Sequence, residues 1–170
     1  MLTRTLARAC LSLMLIALSV VASTAAPDLV RFTGDVPAGT IVVRTAERQL
    51  YLVLDDQTAL RYPVAVGRAG RAWTGTSAIE GKFIAPNWAP PAEIRRDNPS
   101  LPDVIPSGSP ANPMGAAAMT LTGGTYAIHG TNNPDSIGKS VSYGCIRMLN
   151  ADITDLFARV REGTAVRVEQ

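Results

Sequence analysis

Histidine occurs once in the 170 residues, cysteine twice, and aromatic residues make up only 5%. One histidine and two cysteines cannot supply the four ligands of a structural zinc site. Charge of one sign is not in excess either: 16 Lys+Arg against 14 Asp+Glu leave a formal +2. That balance excludes a chain that holds nucleic acid by phosphate neutralisation. An apolar share of 46% excludes a disordered chain. The length suits one domain. Nor is there a long hydrophobic run: the most apolar stretch, Cys10 to Val21, falls short of the ~20 residues a membrane-spanning helix needs.

That stretch has a different explanation. Arg4 and Arg8 precede it, and small residues follow from Ala22 to Ala26, with Ser23 and Ala25 at the −3 and −1 positions of a cleavage after Ala25. This is the three-part layout of a secretory signal peptide. An uncleaved membrane anchor is the competing reading. A lipoprotein signal does not fit, because Cys10 comes before the apolar run. Cleavage takes away two of the 16 basic residues, leaving 14 against 14 acidic. It also removes Cys10, so the exported protein carries a single thiol, Cys145. Disulfides in oxidising compartments come in pairs, and a lone exported thiol asks for a chemical reason.

From Thr40 the pattern is β-like: TIVVRT (40–45), QLYLVL (49–54), LRYPVAVG (60–67) and SAIEGKFIA (77–85), with a turn at Asp55-Asp56-Gln57. Pro63 should lie at an edge or bulge. AMTLTG (118–123) and TYAIHG (125–130) read as a further strand pair. Ile153, Leu156, Phe157 and Val160 fall on one helical face, with Asn150 as the cap and Gly163 as the stop. TAVRVE (164–169) then closes the pattern as a strand. Between Pro86 and Gly115 the chain concentrates eight of its 12 prolines, together with Trp88, Glu93, Arg95 and Arg96. So long a loop is a candidate flap over a binding site, with Trp88 as a possible substrate contact.

The segment HGTNNPDSIGKSVSYGCIRM (129–148) holds His129 and Cys145, 16 positions apart. A cysteine nucleophile acts as thiolate, and a nearby imidazole draws its proton. Gly144 lets backbone and substrate approach the sulfur closely. The backbone N–H groups of Tyr143, Gly144 and Cys145 could face an oxyanion.

His-Gly-Thr followed by Ser-x-Gly-Cys-Ile-Arg at this spacing resembles the L,D-transpeptidase (YkuD-type) catalytic domain, over most of the chain from about Thr40. The resemblance implies a mainly β fold with minor α. The expected form is a mixed or antiparallel β-sandwich with the Pro-rich loop and one C-terminal amphipathic helix. It also implies a division into a signal peptide (1–25), an N-terminal extension (26–39) and a catalytic domain (40–170). The implied activity is transfer at peptidoglycan stem peptides in the periplasm or cell wall. The enzyme cleaves after diaminopimelate, releases D-Ala and passes the acyl group to an amine of diaminopimelate or of a lipoprotein lysine, without metal or cofactor. On matching positions, Cys145 is the nucleophile, His129 the base, and the Gly130 carbonyl orients the imidazole. Ser142 occupies a Ser/Thr position of the motif, and Arg147 steadies the loop or a substrate carboxylate. Tyr143 departs from the pattern, standing where many members have a second histidine. Two other readings keep the fold: an L,D-carboxypeptidase using water as acceptor, and a wall-binding module without chemistry. A redox thiol protein would need a resolving cysteine that the exported chain lacks.

Overall fold

A computed structural model describes residues 27–124 and 126–170; the expected signal peptide lies outside the described residues. Short β-branched runs separated by turn residues become strands, as their composition dictates. The first, β1 (Asp28–Arg31), lies in the segment expected to be an extension. It pairs antiparallel with β4 (Thr58–Gly67), and the following Phe32 is buried beside Val42, Tyr51, Val53 and Ala59. β2 (Ile41–Arg44) and β3 (Gln49–Val53) form an antiparallel hairpin, and β3 continues antiparallel onto β4. At the expected turn, Asp55 Oδ1 accepts the Gln57 and Thr58 N–H groups at 2.8 and 2.7 Å, an Asx turn.

Beyond these lie β5 (Gly75–Ile84), β6 (Ala117–Leu121), β7 (Ala127–His129), β8 (Ser140–Ser142), β9 (Ile146–Met148) and β10 (Ala165–Glu169). The ladder runs β4–β3–β2–β10–β5–β6–β7–β9 and returns to β4 through the Val64↔Met148 and Ala65↔Arg147 pairs. The expected sandwich is therefore a closed barrel. Inward and outward residues alternate along strands in both architectures, so periodicity does not separate them. Pro63 lies where β4 leaves β1, last paired at Arg61, and takes up β9 at Val64. A missing N–H costs little at such a changeover.

Among the described residues, twenty buried side chains form the principal core, including Val64, Met119, Ile128, Ile146, Met148 and Val166. The helix α2 (Asn150–Arg159) adds Ile153 and Leu156, both fully buried, and Val160 follows at its end. Each such side chain removed from water contributes about 1.5–3 kcal/mol. The C-terminal turn is closed from outside, where Lys82 Nζ donates to the Phe157 carbonyl at 2.6 Å and lies 4.2 Å from the Phe157 ring centre. The expected cap at Asn150 is not formed. Leu149 is the N-cap residue, with no side-chain capping bond.

The Pro-rich stretch is built rather than loose. A short helix, α1 (Ala92–Asp97), forms within it, and Trp88 and Ile105 exchange backbone hydrogen bonds at 2.9 and 2.8 Å. Buried Asn112 donates from Nδ2 to the carbonyls of Pro86 and Pro106 at 2.9 and 3.1 Å, tying the roots of the flap together.

Candidate active site

β7 and β9 are parallel neighbours, with Ile128 opposite Ile146 and His129 opposite Arg147. Ile128 and Ile146 point into the core. Because side chains alternate along a strand, His129 and Arg147 face the side away from the core; Cys145 precedes β9, and its thiol hydrogen-bonds the backbone of Ala127, two residues before His129 on β7. The register thus sets the expected base beside Arg147, and the expected nucleophile lies against the strand that carries the base. Small residues flank His129 and Arg147: Ala118 is opposite His129 on β6, and Ala65 is opposite Arg147 on β4. They leave space for an imidazole and a guanidinium.

The imidazole is nearly buried, with 4% exposure. Its Nδ1 lies 2.7 Å from the Gly130 carbonyl, so the proton sits on Nδ1 and Nε2 is left with its lone pair. The Pro113 backbone, at the end of the flap, lies near enough to the ring to favour its protonated form, against the stronger effect of burial. Burial, aided by the Arg147 charge, lowers the His129 pKa from 6.5 to about 4. Half-buried Cys145 responds in the opposite sense. Burial raises its thiol pKa and the Glu93 carboxylate adds to this, while a hydrogen bond with the Ala127 backbone and the Arg147 charge act against it. At rest the two groups are a neutral thiol and a neutral imidazole. The thiolate expected from sequence loses to the cost of burying charge. Burial also lowers the Arg147 pKa, and among the described residues its buried Nε has no hydrogen-bond partner.

The loop carrying the thiol is held in three ways. Gly144 has φ +120°, and a Cβ there would meet the Tyr126 ring at 2.3 Å, so only glycine fits. Fully buried Ser142 donates from Oγ to the Cys145 carbonyl at 2.6 Å and accepts the Gly144 N–H at 3.0 Å. Trp73 stacks on Tyr126 at 5.0 Å and donates its indole N–H to the Gly144 carbonyl at 3.0 Å. The Gly144 amide, one of the three expected to face an oxyanion, is thereby engaged within the loop.

The Tyr143 side chain joins this loop to the flap. Its hydroxyl donates to Asp97 at 2.6 Å, and Arg68 covers its ring at 4.1 Å while pairing with Asp97 at 3.4 Å. Arg71 forms an ion pair with Glu93 of α1. Trp88 sits elsewhere in the flap, in its bridge with Ile105. Sequence reading did not assign roles to Tyr126, Arg68, Arg71, Asp97 or Pro113, since their relation to Cys145 exists only in the folded chain.

Residues 38–168 match the family model described as YkuD, the L,D-transpeptidase catalytic domain. The chain belongs to the L,D-transpeptidase family. A probable L,D-transpeptidase, ErfK/SrfK of Escherichia coli, is 43% identical over a 137-residue alignment that covers 75% of this chain and 43% of that protein. The chain thus spans less than half the length of that curated relative. A solved L,D-transpeptidase from Mycobacterium smegmatis shares the fold with a TM-score of 0.62 at 18% identity, covering 77% of this chain and 58% of the other. A structure from Brucella melitensis, described as a probable carnitine operon oxidoreductase caia, is 39% identical with a TM-score of 0.54. That match covers 83% of this chain and 91% of the other.

Proposed function

We propose that the chain is an exported, cysteine-dependent L,D-transpeptidase acting on the stem tetrapeptides of peptidoglycan, with Cys145 as nucleophile and His129 as base. The observation that carries this reading is the parallel β7–β9 register, which sets His129 opposite Arg147, two residues beyond Cys145. Family membership supplies the reaction class.

In the first half-reaction the Cys145 sulfur attacks the carbonyl preceding the terminal D-Ala as its proton passes to His129 Nε2. Arg147, close to both groups, favours the sulfur anion and makes the imidazolium a strong acid. The Tyr143 and Cys145 amides receive the carbonyl oxygen as it gains charge. The imidazolium then protonates the departing nitrogen, the C–N bond breaks, D-Ala leaves, and a thioester remains. In the second half-reaction an amine attacks the thioester and His129 takes its proton. The C–S bond breaks, and the proton returns to the sulfur. The acceptor is an amine of another stem's diaminopimelate or of a lipoprotein lysine, and the site of action is the periplasm or cell wall.

The test is product analysis by mass after incubation with tetrapeptide and an amine acceptor. Transfer yields an amine-capped tripeptide from the wild type and nothing from Cys145→Ala. Free tripeptide alone would make the enzyme an L,D-carboxypeptidase, and no turnover would leave a wall-binding module. Exposure to a carbapenem should add one adduct to the intact wild-type protein and none to Cys145→Ala.

A further inference from the structure

Asn150 reads as a helix cap in the sequence, yet its side chain makes no capping bond. It reaches instead to the end of β7. Oδ1 accepts the Thr131 N–H at 3.0 Å and the Ala116 N–H at 3.0 Å, while Nδ2 donates to the Thr131 carbonyl at 3.0 Å. Room for this amide is made by two glycines. A Cβ at Gly130 would lie 2.3 Å from Asn150 Oδ1, and one at Gly115 would lie 2.1 Å from it.

The Thr131 N–H and the Gly130 carbonyl belong to one planar peptide unit. One side of that unit is gripped by Asn150, and the other accepts the His129 Nδ1 proton at 2.7 Å. Fixing the N–H therefore fixes the direction of the carbonyl, and accepting its proton strengthens that carbonyl as an acceptor. The Gly130 N–H is held as well, by the Ala117 carbonyl at 2.9 Å. The same Oδ1 ties down Ala116, where the flap returns to the barrel just beyond Pro113. The Arg147 charge acts on both the ring and the Cys145 thiol, and Glu93 of α1 acts on the thiol.

We propose that Asn150 is a positioning residue for the acyl-transfer chemistry: through the Gly130–Thr131 peptide it holds His129 in the Nδ1–H tautomer and so keeps Nε2 free to take the Cys145 proton. The inference rests on the acyl-transfer reading above and extends it to a residue that does not touch substrate.

Because the chain has one histidine, long-range ¹H–¹⁵N spectra of untagged protein report a single imidazole. The wild type should show the proton on Nδ1 alone, and Asn150→Ala should show a mixture of tautomers. Asn150→Asp, which keeps an oxygen for the Thr131 N–H, should restore the Nδ1–H form. In parallel, iodoacetamide alkylation of Cys145 near neutral pH should slow about tenfold in Asn150→Ala, a part of the roughly 10²–10⁴ a positioned base supplies. In alkali, where the thiolate needs no base, the rate should match the wild type. A wild-type proton on Nε2, an unmixed Nδ1–H tautomer in Asn150→Ala, or a rate lost equally at every pH overturns the inference. Should Asn150→Ala not fold, an Asn150→Asp spectrum with the proton on Nε2 overturns it. If His129→Ala alkylates like the wild type, the acyl-transfer reading itself fails, whatever the tautomer.

Discussion

Burial governs how His129 and Cys145 answer to pH. The imidazole titrates at about 4, below its ordinary 6.5, and it must be neutral to act as a base. The acid limb of kcat/KM should therefore lie near pH 4, and a limb near 6.5 would contradict the buried base. The alkaline limb, set by a raised thiol, should lie above the usual cysteine range. The same shift has a stability consequence. Between pH 6.5 and about 4 the unfolded chain binds the extra proton and the folded chain does not. The His129 contribution is thus complete above 6.5 and is lost as pH falls through that window, amounting to about 3 kcal/mol. Denaturant titrations should show this slope in the wild type and not in His129→Asn. Tyr143 allows a separate test. Its backbone is the part nearest the chemistry, and its hydroxyl only reaches Asp97. Tyr143→Phe should keep at least about a tenth of the activity, a loss under ~1.4 kcal/mol. A fall to the level of Cys145→Ala would show the hydroxyl to be essential.

At the scale of elements, the flap is coupled to the nucleophile loop through α1. Asp97 accepts from Tyr143 and pairs with Arg68. Asp97→Asn should speed backbone hydrogen exchange over 92–97 and change KM more than kcat; unchanged exchange would mean the latch holds nothing. The helix itself was not legible in the sequence. It has six residues, none of them buried, among prolines, so no apolar face marks it. β8 and β9, three residues each, are too short for periodicity to register. The longer strands and α2 were legible, because burial imposes period 2 or 3.6 on enough residues. His129 and Cys145 stood out as a motif, but that His129 lies opposite Arg147 depends on the β7–β9 register, which pairs residues distant in sequence. Asn150 was misread for a physical reason: its position suits a cap, and only the fold offers it a better partner.

For the whole molecule, the core and the site share strands. Ile128 and Met148 are fully buried on β7 and β9, the strands that carry the proposed base and follow the thiol. Truncating either to Ala should lower unfolding stability by about 2–5 kcal/mol, read as a lower denaturant midpoint. A cost below ~1 kcal/mol would mean that this arc of the barrel packs loosely. Export is testable on the same scale. Protein recovered from the periplasm should have the intact mass of a chain starting at Ala26, and a mass that retains residues 1–25 would favour the anchor.

β10 follows every other strand in chain order, yet it lies between β2 and β5, parallel to the first and antiparallel to the second. Polypeptide delivered only as far as Arg161 would have a gap at that place, two unsatisfied rims where the staves should meet. The hoop can tighten only after residues 165–169 arrive. A chain short of those residues would thus lack the closed barrel on which the candidate site is built.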